Sequence, residues 1–410
     1  MILIQSLFVF LISADASAQV MSTFVREQAG SLPQGRFMVS MVSVQSSIDQ
    51  MFNRNGGKET LSQNFNQKIT FQKITTEEPV RGNQLAGLFM SNGLSLADSA
   101  GEVSGSVTGT VSGKVPVLGY GIKDDLGIFF ALPIIEFKIN AHYQFQQSSK
   151  TVGFLKQLKN TDQASIAKEF DTALNTSLEN KLFKNNYDWN SALNKNYFGD
   201  MQINLVKILV NSPDFKSQVQ PFVILPTSSD QDLRDLYGLR AGEGRFGMGA
   251  KYAAQKQVFN FLQLNAGVSA TYLFPSEQGR RLPKDQIDQL NELMDSHVWV
   301  TGGMSYHSQV QIRYPFPKWV GLNLGVDWQQ RFRDSLSGNE QDSFAYRNAE
   351  AKTGSSLLTS YASIDLNSIQ SFLSGGFLFP AIAELGVGLP IVGVNAIAEP
   401  VVQLQGTMFF

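Results

Sequence analysis

The chain has 410 residues, 43% of them apolar and 17% charged, with a formal net charge of −2. Soluble domains carry roughly 25% charged residues, and a near-neutral balance argues against nucleic acid as a partner. Cysteine is absent, which excludes a disulfide framework, a lipoprotein acylation site and a thiolate metal centre.

The N-terminus reads as an export signal. An apolar run, Leu3 to Ile12, precedes the small-residue pattern Ala16-Ser17-Ala18, so residues 1–18 are expected to be cleaved and the mature chain to begin at Gln19. Met1 to Gln5 lacks Lys and Arg; either the true start lies upstream or the signal is atypical. Past this point no segment offers the ~18 consecutive apolar residues of a membrane helix. Residues 19–35 then form a short periplasmic segment, and 36–410 a barrel.

The main signal is alternation. In the stretch Leu126 to Phe145, Phe137, Ile139, Ala141, Tyr143 and Phe145 point one way, and Glu136, Lys138, Asn140, His142 and Gln144 the other. Period two is the strand period, and the run far exceeds the roughly five or six residues of an ordinary strand. Val103, Val107, Val111, Val115 and Val117 oppose Ser104, Ser106, Thr108, Thr110, Ser112 and Lys114. Leu262 to Phe274, 298–314 and 320–333 repeat the pattern, with shorter candidates near 36–46, 200–210, 215–226, 244–257, 355–368 and 381–394. Short turns at 123–125, 211–214 and 315–317 alternate with long connections at 47–104, 146–198, 227–243, 275–296 and 334–354. The fold class expected is all-β: a transmembrane antiparallel barrel of about twelve strands, or fourteen if 66–79 adds a pair. A soluble sandwich would also alternate; strand length, loop asymmetry and the two chain ends weigh against it.

Helices are expected in two loops, near 150–198 and 283–295. Ile166, Phe170, Leu174, Leu178 and Leu182 form one apolar stripe, behind a plausible cap at Asn160-Thr161-Asp162. Pro283 opens the shorter helix, with Ile287, Leu290 and Met294 on one side. The first stripe is the candidate gate of a pore. Two breaks, Leu132-Pro133 and Leu389-Pro390, either open or bend the wall or set its curvature; curvature is the favoured reading. The final strand ends on Phe410, like the C-terminal signal of outer-membrane barrels, and is expected to engage the barrel-assembly machinery.

Ser31-Leu32-Pro33-Gln34-Gly35-Arg36-Phe37, Val115 to Leu126 with Leu132-Pro133, and Glu384 to Pro390 resemble the phenol-degradation meta-pathway outer-membrane family, grouped loosely with FadL-type hydrophobic-compound transporters. The resemblance implies an outer-membrane barrel that admits small hydrophobic or aromatic solutes. FadL-type barrels carry an N-terminal hatch; the segment from Gln19 to Gln34 is too short for one.

Catalysis is not expected. His142, His297 and His307 are the only histidines, and no nucleophile elbow, paired-histidine metal motif or phosphate loop accompanies them. No metal or cofactor is expected. The lumen-lining candidates are Glu136, Lys138, His142, His307, Arg313, Asp327, Arg331, Arg333, Asp365 and Glu384. Their mixed charges either pair across the interior, the favoured reading, or set ion preference. The expected function is a channel or transporter for small hydrophobic or aromatic solutes, with outer-membrane lipid and the solute as partners. The alternative is a non-transporting barrel that displays its loops.

Overall fold

The computed structural model describes residues 32–410 except 63–66, 77–81, 162, 189–191, 229–231, 236–237, 284–292, 317–318, 375 and 377. The signal segment and the body of the second expected helix lie outside the described residues. In chain order the strands are β1 (Phe37–Ser47), β2 (Gln50–Phe52), β3 (Lys58–Thr60), β4 (Gln67–Thr70), β5 (Ser99–Lys123), β6 (Leu126–Ala131), β7 (Ile134–Gln147), β8 (Ala192–Phe198), β9 (Met201–Asn211), β10 (Phe215–Leu225) and β11 (Gly247–Phe259). They continue as β12 (Leu262–Leu273), β13 (Ser276–Leu282), β14 (Leu293–Thr301), β15 (Met304–Pro315), β16 (Val320–Arg331), β17 (Ser335–Ser337), β18 (Ser355–Asn367), β19 (Ala381–Val394), β20 (Ala396–Ile397) and β21 (Val401–Phe409).

Twelve of them close a ring in the order β1-β21-β19-β18-β16-β15-β12-β11-β10-β9-β6-β5, with β5 pairing back on β1. Every pairing in the ring is antiparallel. Closure removes the free edges a sheet cannot expose to hydrocarbon. Both ends of the barrel chain meet at one rim, where Phe37 and Phe410 exchange backbone hydrogen bonds, and the short turns sit at that rim. The expected twelve strands are therefore present; the optional pair near 66–79 is the short β4 followed by a helix, Phe71–Thr76.

Most of the wall is apolar outside and polar inside. On β16, Leu324, Val326 and Trp328 are exposed while Asn323, Asp327 and Gln329 are buried. On β15, Tyr306, Val310, Ile312 and Tyr314 are exposed while Gln311 is buried. Exposed Leu385, Val387, Leu389, Val402, Leu404 and Met408 continue the outer band across β19 and β21. A contiguous exposed apolar band of this size is a lipid-facing surface.

One sector inverts. β6 and β7 lie end to end along β5, which pairs with β6 over Val117–Lys123 and with β7 over Gly101–Lys114. β9 and β8 lie end to end against them. The breaks fall at Leu132-Pro133 and Gly199-Asp200, where the Gly199 N–H donates to the Pro133 carbonyl at 2.7 Å. A Cβ on Gly199 would press on Pro133 and on the Ala241 carbonyl, each at 2.9 Å, so this crossing needs glycine. β10 pairs only as far as Leu225 with Met201, and β8 becomes an edge. Leu132-Pro133 thus marks a division of the wall rather than the curvature expected there. Leu389-Pro390 does sit beside a register shift, between Leu358 and Thr359 of the neighbouring strand.

Beyond the division the oily face turns inward. Val103, Val107, Val111, Val115, Ile135, Phe137, Ile139 and Ala141 are buried in one apolar core. The core includes Val42 and Val44 on the inner face of β1, and it takes Phe71, Phe89, Phe154, Phe170 and Leu174 from helices in the two long loops that follow β1 and β7. A second sheet, β13-β14-β17, caps the long-loop rim, with the helix Ser343–Glu350 packed on Val298, Val300 and Leu336 through Ala345 and Tyr346. The expected helix near 283–295 is overruled at its C-terminal end, where Leu293 and Met294 begin β14. The expected strand 298–314 is likewise two strands, because Gly302 and Gly303 take φ of 101° and 89°, values that break a strand and favour glycine.

Candidate functional site: the two halves of the barrel mouth

Loop helices cover one half of the long-loop rim. Ser148 caps the helix Ser149–Lys159, its hydroxyl accepting from the Thr151 N–H at 3.1 Å. The longer helix Ala164–Lys184 packs beside it. Phe89, Phe154 and Phe170 stack edge to face, with ring centroids 5.5–6.0 Å apart. Of the gate candidates, Phe170 and Leu174 are buried in this core and Ile166 is exposed. Ala167 is buried in place of Ile166, so the stripe runs 167, 170, 174. The side chains of Leu178 and Leu182 lie outside the described residues. The core reaches Ile397 and Val401 on one side and Leu193 of β8 on the other. It therefore lines the β21-β1-β5-β7-β8 half of the mouth.

The other half is charged. Arg331, on the inner face of β16, bridges Glu243 at 2.6 Å and Asp334 at 2.9 Å. Arg240 pairs with Glu243 at 2.9 Å. Arg245 is fully buried; it donates to the carbonyls of Phe274, Leu273 and Gly302 and pairs with Asp334 at 3.4 Å. That one guanidinium ties together the starts and ends of β11, β12, β15 and β16. Burial opposes ionisation of Glu243, but Arg240 and Arg331 overcome it and hold the carboxyl well below its ordinary range. The segment between β10 and β11 runs between the two halves: Leu239 and Ala241 enter the apolar core, while Arg240, Glu243 and Arg245 face the charges.

Below the mouth the lumen charges are paired. His307 bonds Asp327, which also accepts from Gln329 at 2.9 Å. Arg313 forks onto Asp365 with three contacts of 2.9–3.2 Å. Ser363 donates to Glu384 at 2.5 Å and accepts from Asn323 at 3.1 Å. Pairing offsets the cost of burying these charges.

The structure brings His307, Arg313, Asp327, Arg331, Asp365 and Glu384 to the lumen face. Glu136, Lys138 and His142 depart from expectation. They share the face of β7 opposite the buried Ile135, Phe137 and Ile139, and so point away from the interior. Glu136 and Lys138 pair there at 2.9 Å. The reason is the inversion: past Pro133 the interior is apolar and the polar face meets water. Arg333 lies beyond the end of β16 and is exposed. Sequence reasoning missed Arg240, Glu243, Arg245, Arg280 and Asp334. The only local signal was Arg240-Ala241-Gly242-Glu243-Gly244-Arg245, a charged, glycine-rich connection whose partners lie far along the chain. On the cap, Asp295, His297 and Glu340 bring one ligand atom each within 4.8 Å. Hydrogen bonds already account for them, since Tyr346 and the His297 N–H donate to Asp295 and His297 Nδ1 lies 3.0 Å from Glu340.

No family model and no curated protein matches the sequence. Among solved structures, an outer membrane channel of Pseudomonas putida F1 aligns over 94% of this chain and 100% of its own, at 10% identity and a TM-score of 0.51. This chain has the fold of an outer-membrane β-barrel. The transport unit of the autotransporter AIDA-I from Escherichia coli aligns over 97% of each chain at 8% identity, with a TM-score of 0.39. A TodX monoaromatic hydrocarbon channel mutant aligns over 95% of this chain and 97% of its own at 9% identity, with a TM-score of 0.35.

Proposed function

We propose that this barrel is a bacterial outer-membrane channel or transporter for small hydrophobic or aromatic solutes, and not an enzyme. The observation that supports it best is the arrangement of the mouth. A closed, lipid-facing ring encloses a polar lumen, and over half of its long-loop rim the loops form an apolar core of stacked phenylalanines. That core walls one side of the way into the polar lumen. The loop helices pack over this half of the long-loop rim, which is where a gate would act. β21, which closes the ring on β1, is the strand that would be presented to the assembly machinery.

The test is reconstitution. Replacing residues 149–184 by a short Gly-Ser link should raise single-channel conductance in planar bilayers, or speed uptake of small aromatics into liposomes. A folded barrel that passes neither ions nor solute, with or without those helices, would instead support the display reading.

A further inference from the structure

We propose that the connection between β18 and β19, residues 368–380, lies in the inner leaflet of the outer membrane, with its apolar side chains seated where phospholipid headgroups meet acyl chains. The proposal needs the barrel to span a membrane and does not need it to pass solute. The connection belongs to the short-turn rim, which in such barrels is the periplasmic one. The Asn367 N–H donates to the Trp319 carbonyl at 2.8 Å, and the Phe409 N–H donates to the Pro380 carbonyl at 3.2 Å. These bonds fix the connection beside the ends of β16 and β21. Ser368 closes its base: the N–H donates to the Ala381 carbonyl at 2.9 Å, and the hydroxyl accepts from the Ala381 N–H at 2.8 Å.

Above that base the chain makes one short helix, Ile369–Leu373, and turns apolar side chains outward. Leu378 is 90% exposed and Leu373 71%, and Phe372 and Phe379 are exposed as well. None of the three apolar cores takes any of them. Apolar residues exposed singly are ordinary on a protein surface. Here they are gathered, and no charged residue stands anywhere between Asp365 and Glu384. Two other turns of the rim differ: Asp124 and Asp125 sit in the β5–β6 turn and Asp214 in the β9–β10 turn, which suits them to water. A gathered, charge-free apolar surface is one made to meet something apolar.

What it meets follows from what adjoins it. Ile364 and Leu366 on β18 and Leu385 on β19 are exposed members of the lipid-facing band, so the connection continues that band at both of its ends. Exposed Phe37, Phe316, Trp319 and Phe410 stand along the same rim, aromatic side chains of the kind that settle at headgroup level. Phe261 extends this girdle, its ring 5.4 Å from Phe259 and 6.0 Å from Tyr314 between centroids. The four side chains of the connection therefore lie at the level where the bilayer begins. A short segment buries such side chains at the boundary of headgroups and acyl chains.

The test uses the absence of cysteine from the chain, which lets one fluorescent label be placed alone. Leu378→Cys carries an environment-sensitive dye, and Asp214→Cys, in a turn of the same rim, is the comparison. Each full barrel is refolded into vesicles of phosphatidylethanolamine and phosphatidylglycerol. Nitroxide on the lipid chains should quench the label at 378 at least about twofold more than the label at 214, as a group at the headgroup–acyl boundary would be quenched. Aqueous iodide should rank the two the other way. Equal quenching of both sites by both agents overturns the proposal. So does a label at 378 that iodide reaches the more readily, which would leave the surface free for a periplasmic protein. A label at 378 shielded from lipid and iodide alike would put the connection under the lumen and overturns it too. If Leu378→Cys loses the heat-dependent mobility of a folded barrel, Leu373→Cys gives the same readout. None of these outcomes depends on conductance, so the channel reading stands or falls separately.

Discussion

β16 and β7 carry the same alternating pattern and opposite orientations. On β16 the apolar residues are outside, and Val326 is 46% exposed. On β7 they are inside, and Phe137 is 1% exposed. Period two fixes which residues share a face, but what lies on each side of the sheet decides where that face points. β16 has hydrocarbon outside and a hydrated lumen within. β7 has water outside and the loop helices within. The same chain is a membrane protein along one strand and a soluble sandwich along another, and Leu132-Pro133 is where β5's partner changes from one regime to the other.

Three substitutions break this comparison if it is wrong. Phe137→Ala should have the largest effect, about 3–5 kcal/mol, because it opens a cavity in a packed core. Urea unfolding of the reconstituted barrel measures it, and a loss below about 1 kcal/mol would show that Phe137 faces lipid or solvent. Val326→Arg should cost about 2–4 kcal/mol near the bilayer midplane. Thr110→Arg, on the outer face of β5 beyond the division, should stay within about 0.5 kcal/mol, as surface changes do. Equal penalties at Val326 and Thr110 would mean that the hydrocarbon reaches both.

These sites also show how far the sequence could be read. Alternation placed twelve strands, their short turns and the paired faces of β12, β15 and β16, because a lipid-facing strand needs no distant information. It put Glu136, Lys138 and His142 in the lumen because nothing in residues 134–147 says that Phe89, Phe154 and Phe170 will fold against them. Proline 133 was the visible clue. Proline cannot donate to a ladder, and whether such a break bends or divides a wall depends on β8 and β10, far along the chain. Of the mouth, Arg331 was legible from its register on β16. Arg245 and Arg280 were not: Arg245 lies in a connection where no period applies, and Arg280 lies in β13, a cap strand inside the stretch 275–296 that was expected to be a long connection. Gly302, where the expected strand 298–314 breaks, offers one of the carbonyls that Arg245 holds.

The lumen sharpens the comparison electrostatically. Arg331 lies at the long-loop end of β16, where Glu243 and Asp334 hold it. Arg331→Glu should shift the reversal potential in a KCl gradient toward cations if the conduction path passes the charged half. The same reversal at Arg333, exposed beyond the strand, should leave the potential unchanged. Equal shifts would place the path outside the cluster.

The smallest effect lies on the cap. His297 donates from Nδ1 to the Glu340 carboxylate, 3.0 Å away, and its Nε2 lies 3.9 Å from Glu277. The hydrogen bond to Glu340, reinforced by the charge of Glu277, raises its pKa above the ordinary 6.5. A raised folded-state value means that the pairing contributes fully below pH 6.5, and that the contribution fades as pH climbs through the folded pKa. The imidazole is exposed, so solvent screens the pair and little global stability rides on it. The measurable quantity is therefore the titration itself, read from the ring resonances of His297 in the folded barrel. Its midpoint should lie above 6.5, and Glu340→Gln should bring it back toward that value. A midpoint at or below 6.5 in the wild type would show that β14 and the segment after β17 do not hold His297 and Glu340 together, and the cap would then have to be placed differently over the charged half of the mouth.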